Sequence, residues 1–437
     1  MSTLFNPQAE DVNQVIKTHQ PAVFELLSKK GKAIYFPHKG LLAQGKRAKD
    51  KDINATIGIA YEDAGGPMVL PSVACQLQLS PKEAFPYTDS FGLAALREKW
   101  QTAIYEKNPS LAGIPISLPV ATCALTHGLS MIGYLFVDEG ETVIVPDLYW
   151  ENYDLVFENG YGAVLKKFNF FKDNVFDIDA FRQAVLAGPT GKRTVILNFP
   201  NNPSGYSPTL AAGEQIVQVL DDAAKAGNKL LVIMDDAYFG LVFEPGIMKE
   251  SLFARLAGLD ENVLAVKVDG STKEDYAWGF RLGFLTYGIK NGPKELYKAL
   301  EDKTAGAVRG NISNVSHPAQ SMILHAMQAE EYQREKQRNI DKIKDRYLEV
   351  KNILVRRQEY REYFEDLPFN SGYFMCLTLK RGLDAAKVWQ KLLDDYSTGV
   401  ILWESKNLLR IAFASTPVVK LEKLFDNIFH ACRDIAG

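Results

Sequence analysis

The stretch TVILNFPNNPSGYSPTLAAGEQIVQVLDDAAKAGNKLLVIMDDAY, residues 194–238, decides how this chain folds. It opens with a short, almost continuously apolar run (194–199) and passes through a Pro- and Gly-rich turn. A helical pattern follows over 211–226, and a second apolar run (230–236) closes the unit. Runs of this kind, β-branched and without polar alternation, belong to a sheet covered by helices on both faces. Strand, helix and strand in that order predict a parallel βαβ unit. The alternation extends in both directions. Upstream, 92–105 reads as a helix, THGLSMIGYLF as another starting near Gly128, and ETVIVPD (141–147) as a strand. Downstream, VLAVKVD (263–269) and FLTYG (284–288) read as strands.

Outside this region the pattern changes. A helical pattern over 8–29, with Val12, Val15, Ile16, Val23 and Leu26 as its apolar positions, precedes a Gly/Lys-rich stretch (39–52) and INATIGIAYEDAGGP (53–67). Long charged helical patterns from about 318 to 360 lead into a smaller α/β segment: GYFMCLTL (372–379), a helix over 383–396, LLRIAFA (408–414) and a final helix. At 437 residues the chain exceeds the usual ~100–200 residues of one domain, so more than one core is expected.

The net charge of −3 argues against a surface built for nucleic acid or an anionic membrane. Asp50 and Asp52 interrupt the basic cluster Lys46, Arg47, Lys49 and Lys51, which reads as a solvated loop. Cys75, Cys123, Cys376 and Cys432 form no C-x-x-C pair and the histidines show no ligand spacing, so no metal site is expected. The opening MSTLFNPQAEDVNQ lacks the marks of a secretory signal, and no window approaches ~18 uninterrupted apolar residues. The expected location is cytoplasmic, with no membrane partner.

In such sheets, ligands bind beyond the carboxyl ends of the strands. The first run is followed there by Asn201-Asn202-Pro203-Ser204-Gly205, the second by Asp235-Asp236-Ala237-Tyr238, and 263–268 by Asp269-Gly270-Ser271-Thr272-Lys273, with Arg281 beyond. An amide, a carboxylate, a phenol, a lysine and an arginine thus collect at one sheet edge. No G-x-G-x-x-G or Walker sequence is present, which disfavours nucleotides. The set suits pyridoxal 5'-phosphate (PLP), which needs a lysine to hold its aldehyde as an imine and a carboxylate to keep its ring nitrogen protonated. It also needs donors for its phenolate oxygen, and cations and N–H groups for its phosphate. Successive strand residues point to opposite faces, so only one of Asp235 and Asp236 can face the ring.

N-P-S-G at 202–205, D-x-A-Y at 235–238, and a lysine followed by Arg281 resemble the class I/II aminotransferases, PLP enzymes of fold type I, and most nearly their aspartate aminotransferase branch. The resemblance runs from about Asn54 to Ser415. It implies a mostly parallel central sheet of about seven strands sandwiched by helices, plus a smaller α/β domain. The implied division is an N-terminal arm with part of the small domain (1–60), a large PLP-binding domain (61–315) and a C-terminal small domain (316–437).

By the same resemblance Lys273 carries the cofactor and moves the substrate's Cα proton, and Asp235 pairs with the ring nitrogen. Asn202 and Tyr238 donate to the phenolate oxygen, and Trp150 stacks on the ring. The phosphate falls to His127, Gly128 and Leu129 at a helix start, to Arg281, and to Tyr87 from a neighbouring subunit. The family's usual Ser, three positions before the lysine, is Gly270 here, and Ser271 or Thr272 is left to replace it. Arg410 grips the substrate α-carboxylate, with Asn202 and Trp150 beside it, and Gly58 belongs to a loop over the substrate. Arg309, supplied across a homodimer interface, binds a distal carboxylate.

The implied activity is ping-pong transamination between an amino acid, with aspartate or glutamate favoured by Arg309, and a 2-oxo acid. β-Lysis or decarboxylation on the same fold is the alternative. A PLP-binding regulator of DNA would need an upstream winged helix, for which the residues before Asn54 are too few.

Overall fold

The two apolar runs of 194–238 become inner strands of a seven-stranded sheet in the computed structural model, which describes residues 5–37 and 40–437. In chain order the strands are β1 (Val120–Thr122), β2 (Thr142–Pro146), β3 (Val164–Phe168), β4 (Lys192–Asn198), β5 (Lys229–Asp235), β6 (Val263–Asp269) and β7 (Gly283–Gly288). Their spatial order is β1-β7-β6-β5-β4-β2-β3. Strands β2 to β6 run parallel, whereas β7 is antiparallel to both its neighbours. The reason is the connection 270–282. It holds only the short turns Ser271–Glu274 and Trp278–Phe280, with no helix to carry the chain back across a sheet face.

Strand β5 is exposed at Lys229 and buried over all six residues that follow, so its carboxyl end lies inside the molecule. The helix Leu210–Lys225 covers one sheet face through Ile216, Val217, Val219, Leu220, Ala223 and Ala224. Each large aliphatic residue buried this way contributes about 1.5–3 kcal/mol. Thr209 starts that helix by accepting from the Ala212 amide at 3.1 Å.

A second sheet, antiparallel throughout, comprises β8 (Phe364–Asp366), β9 (Phe374–Leu379), β10 (Ile401–Trp403) and β11 (Leu408–Ala412) in the order β8-β9-β11-β10. The helices Ala385–Asp395 and Val418–Ala436 pack with it. Residues 53–54 pair with 398–399, which ties the N-terminal region to this part of the chain. Gly205 rivets the two sheets. Its φ is +74°, a Cβ there would lie 1.9 Å from Phe374 O, and its carbonyl accepts from the amides of Asn370 (3.0 Å) and Ser371 (2.9 Å).

Several expectations need correction. The pattern over 8–29 is two helices, Pro7–His19 and Pro21–Leu26, because Pro21 cannot continue the first. Its apolar positions do not form a buried stripe, since Val15 is 60% and Leu26 84% exposed. The stretch 39–52 contains a helix, Leu41–Arg47, rather than being all loop; its residue 39, like residues 1–4 of the opening stretch, lies outside the described residues. The helix expected near Gly128 begins at Ala124. The pattern 318–360 is two helices, His317–Gln328 and Tyr332–Arg356, and a further helix, Lys294–Asn311, precedes them. Among the described residues no helix is long and apolar enough to cross a membrane.

Candidate active site

Beyond the carboxyl ends of β4, β5 and β6 lies a cavity of about 580 Å³, also lined by Thr56–Gly58, Phe374, Arg410 and, from the helix Leu41–Arg47, Leu41, Gly45 and Lys46. Lys273, Asp235, Tyr238, Asn202, Thr272, Arg281, Arg410, Trp150 and Gly58 all line it. The folding of three separate strand ends to one place is what collects them.

Lys273 stands in the turn after β6. Gly270 begins that turn because nothing larger fits: a Cβ would lie 2.5 Å from Leu282 O and 2.6 Å from Gly283 Cα. That close approach accounts for glycine where the aminotransferase pattern has serine. The Lys273 ammonium is 4.9 Å from the Tyr238 ring centroid. Burial pushes its pKa down to about 8; the Asp235 carboxylate opposes that shift and the Arg281 charge adds to it.

Asp235 ends β5. Tyr153 donates to its Oδ2 at 2.6 Å and the Ala237 amide to Oδ1 at 3.2 Å, while Asn198 Nδ2 holds its carbonyl at 2.7 Å. Burial raises the pKa of this carboxyl, against the Tyr153 hydrogen bond and the Lys273 charge. A cation placed against it would restore the ionised form. Asp236 faces the other way and pairs with Lys267. Tyr153 was not singled out in the sequence; its only signal is its place three residues after Trp150, against which it packs edge-on with centroids 5.8 Å apart.

Arg410 Nη1 donates to Asn202 Oδ1 and Nη2 to the Thr56 carbonyl, each at 3.0 Å, and the guanidinium lies 4.2 Å from the Phe374 ring centroid. Its Nε is buried with no partner, and burial lowers its pKa. At Gly58 a Cβ would meet Phe374 Cζ at 3.6 Å and the Tyr238 hydroxyl oxygen at 3.9 Å, so the loop passes close over the cavity floor. The Tyr238 phenol is buried, which raises its pKa.

The anion end is arranged differently from the expectation. Ala124, Leu125 and Thr126 line the cavity; His127, Gly128 and Leu129 do not. The helix starts earlier than read, so those three fall within it. Gly128 packs on the sheet, where a Cβ would meet Val268 Cγ1 at 3.1 Å, Leu129 is fully buried, and His127 Nδ1 accepts from the Cys123 amide at 3.1 Å. Of the two hydroxyls left open, Ser271 donates to Leu282 O at 3.4 Å, whereas Thr272 Oγ1 is buried, without a partner, and on the cavity wall. Arg281 has the left-handed backbone φ +52°, ψ +49°.

Two expected residues lie elsewhere. Tyr87 is 89% exposed, and Arg309 donates to Ser313 Oγ at 2.8 Å, just past the end of its own helix. Lys46 and Lys49, read as part of a solvated loop, are exposed as expected, but Lys46 lies in a helix and both also border the cavity.

The donor set fits PLP. A half-buried lysine with a lowered pKa, a buried carboxyl awaiting a cation, an unpartnered Thr272 hydroxyl and an arginine occupy one cavity.

Known proteins agree in kind. The family model described as aminotransferase class I and II matches residues 53–428. Aspartate aminotransferase of Geobacillus stearothermophilus is 28% identical over 218 residues, 49% of this chain and 51% of that protein. Cytoplasmic aspartate aminotransferase of Saccharomyces cerevisiae is 26% identical over 295 residues, 64% and 67% of the two chains. The chain thus spans about half to two thirds of these curated relatives. An aminotransferase structure from Anaerococcus prevotii superposes with a TM-score of 0.81 at 23% identity, covering 93% of this chain and 99% of that one. Thermus thermophilus aspartate aminotransferase with maleate gives 0.71 at 17% identity, with the same coverage. The fold is therefore that of the fold type I aminotransferases.

Proposed function

The chain belongs to the class I and II aminotransferases, and from that membership we propose that it is a PLP-dependent transaminase that moves an amino group from an amino acid to a 2-oxo acid in two half-reactions. When bound, PLP supplies an aldehyde that condenses with amines and a protonated ring that withdraws electrons from the substrate Cα. The observation that carries the reading is Lys273, a half-buried amine with a pKa pushed down to about 8, in the same cavity as Asp235, itself held by Tyr153.

Lys273 Nζ holds the cofactor. Once released by substrate it moves the Cα proton, since a base titrating near neutrality exchanges protons in either direction. Asp235 keeps the ring nitrogen charged, and Tyr153 keeps Asp235 oriented. Asn202 and Tyr238 serve the phenolate oxygen. Arg281, Thr272 and the helix start at Ala124–Thr126 take the phosphate, where amides and the helix dipole favour an anion. Trp150 covers the ring. Arg410, already oriented by Asn202 and Thr56, receives the α-carboxylate and so fixes which Cα bond is broken.

The protein is further proposed to act as a cytoplasmic homodimer. Support comes from the apolar surface around Leu77 (69% exposed), Phe85 (85%) and Tyr87 (89%), more than a monomer ordinarily leaves bare in one short segment. Through such an interface Tyr87 and Arg309 would reach a neighbouring site. The test is chemical: borohydride reduction of the cofactor-loaded protein followed by tryptic mass analysis. Mass added to the Lys273 peptide is expected; an unmodified peptide would refute the assignment.

A further inference from the structure

We propose that Lys46 and Lys49 form the subsite for an acidic side chain, so that the preferred donors are amino acids carrying a second anionic group. This deepens the transaminase reading and rests on it.

The cavity wall carries more positive than negative charge. Five cations line the cavity, Lys46, Lys49, Lys273, Arg281 and Arg410, against one carboxylate, Asp235. In the transaminase, Lys273, Arg281 and Asp235 serve the cofactor and Arg410 takes the α-carboxylate. Two ammonium groups are left over. Among the described residues neither has a hydrogen-bonding or ion-pair partner for its side chain. Both are exposed residues bordering the cavity, so they offer free charge at its solvent side to the anionic end of a bound molecule.

Their position is built rather than accidental. Gln44, on the same helix, exchanges two hydrogen bonds with Leu402 of β10, donating from Nε2 to its carbonyl at 3.0 Å and accepting from its amide at 2.7 Å. Arg47 turns the other way, donating to Gln390 at 2.7 Å and lying 4.4 Å from the Trp389 ring centroid. Gly45 faces Thr56, where a Cβ would lie 3.7 Å from Oγ1, and the Thr56 carbonyl is the acceptor that orients Arg410. The helix carrying Lys46, with Lys49 in the turn that follows it, therefore abuts the residue that sets the α-carboxylate grip. Leu41 and Ile57 also line the cavity and provide apolar wall for a methylene stem. Arg309 could supply the same charge only from a second chain, whereas these two lysines supply it within one.

Lysines are point charges on flexible stems, not planar forks. They accept a carboxylate, a sulfonate or a phosphate alike, and the shared chemistry is a side-chain anion. The test compares the PLP-loaded wild type with the Lys46→Met/Lys49→Met variant. Half-reaction kcat/KM is measured for glutamate, aspartate, cysteate and O-phosphoserine against norvaline, and calorimetric Kd for succinate against butyrate. In the wild type an acidic donor is expected to exceed norvaline by about 30-fold, the worth of one or two charge-assisted hydrogen bonds. Succinate should bind tighter than butyrate, and both ratios should fall towards unity in the variant. The donor that leads the acidic series names the anion.

If no donor reacts with the wild type, the transaminase reading fails, and the succinate-to-butyrate ratio still judges the subsite. Active wild type without preference for acidic donors, or ratios unchanged in the double variant, would overturn the lysine subsite alone. So would a ratio lost in Arg309→Ala but kept in the lysine variant. Should the variant not fold, a wild-type succinate preference that is absent, or that raised salt leaves untouched, overturns it equally.

Discussion

Strand β5 ends at Asp235 with Asp236 directly after it, and each aspartate meets a lysine on its own side of the sheet. On one face Asp236 pairs with Lys267, accepts from Ser251 Oγ at 2.6 Å, and shares the lysine with Asp269, 3.5 Å away, to which Trp100 Nε1 donates at 3.0 Å. On the other, Asp235 and Lys273 influence one another through space, and the aspartate's close partner is the neutral Tyr153. The ingredients are the same, but Lys267 is fully buried whereas Lys273 is partly exposed to the cavity. Where carboxylates close on the ammonium, the Lys267 pKa is held above its ordinary value despite desolvation. Where they stand off, burial wins and Lys273 drops to about 8. One face is finished as structure, and the other keeps reactive groups unspent.

That contrast can be broken at either face. The largest effect belongs to Lys273→Ala, which should lower the half-reaction rate by roughly 10⁴-fold or more, because both covalent attachment and proton transfer go with it. Stopped-flow absorbance with an amino donor measures this, and near-normal turnover would contradict the reading. Lys267→Met should do the opposite, costing about 3–5 kcal/mol of stability by leaving Asp236 and Asp269 buried without a counter-charge. Denaturant midpoints report it, and an unchanged midpoint would mean the cluster is not ionised. Asp235→Asn keeps size and hydrogen bonding near Tyr153 yet removes the charge, and the half-reaction should slow by about 10²–10³-fold with little change in unfolding.

A pH experiment sharpens the comparison. In cofactor-free protein the folded Lys273 titrates near 8 and the unfolded lysine near 10.5, so between those values the unfolded state binds more protons. Stability should therefore rise with pH across that window relative to Lys273→Met, by roughly 3 kcal/mol in total at about 1.4 kcal/mol per pKa unit. Paired melts at pH 7.5 and 10 test the sign, and a falling difference would disprove it. Tyr153→Phe should give the smallest effect, about 1 kcal/mol or a few-fold in rate, with the acid limb of the rate profile moved upward because Asp235 loses the bond that favours its charged form.

The sequence was informative where chemistry follows a strand directly. The runs before Asn202, Asp235 and Lys273 are long, apolar and close in sequence, so parallel pairing brings their ends together almost of necessity. Residues arriving from elsewhere were not legible. Lys46 and Lys49 reach the cavity because the helix Leu41–Arg47, which ends just before Lys49, docks on β10, a contact across more than half the chain, and locally they look like any solvated basic run. The helix start at Ala124 escaped because no capping side chain marks it: Cys123 makes no cap bond, and Ala124 itself takes a left-handed φ of +59°. The apolar residues Val12, Val15, Val23 and Leu26 of the N-terminal helices obey helical spacing yet stay exposed among the described residues.

The short return from β6 to β7 has a kinetic corollary. Lys273 and Arg281 ride on one connector, residues 270–282, anchored at both ends by the sheet and pinched shut at Gly270. Opposite ends of a bound molecule would then be fastened to a single latch, and residence time would follow how often that latch springs rather than the summed strength of its contacts. Amide exchange within the connector is the clock to set beside it.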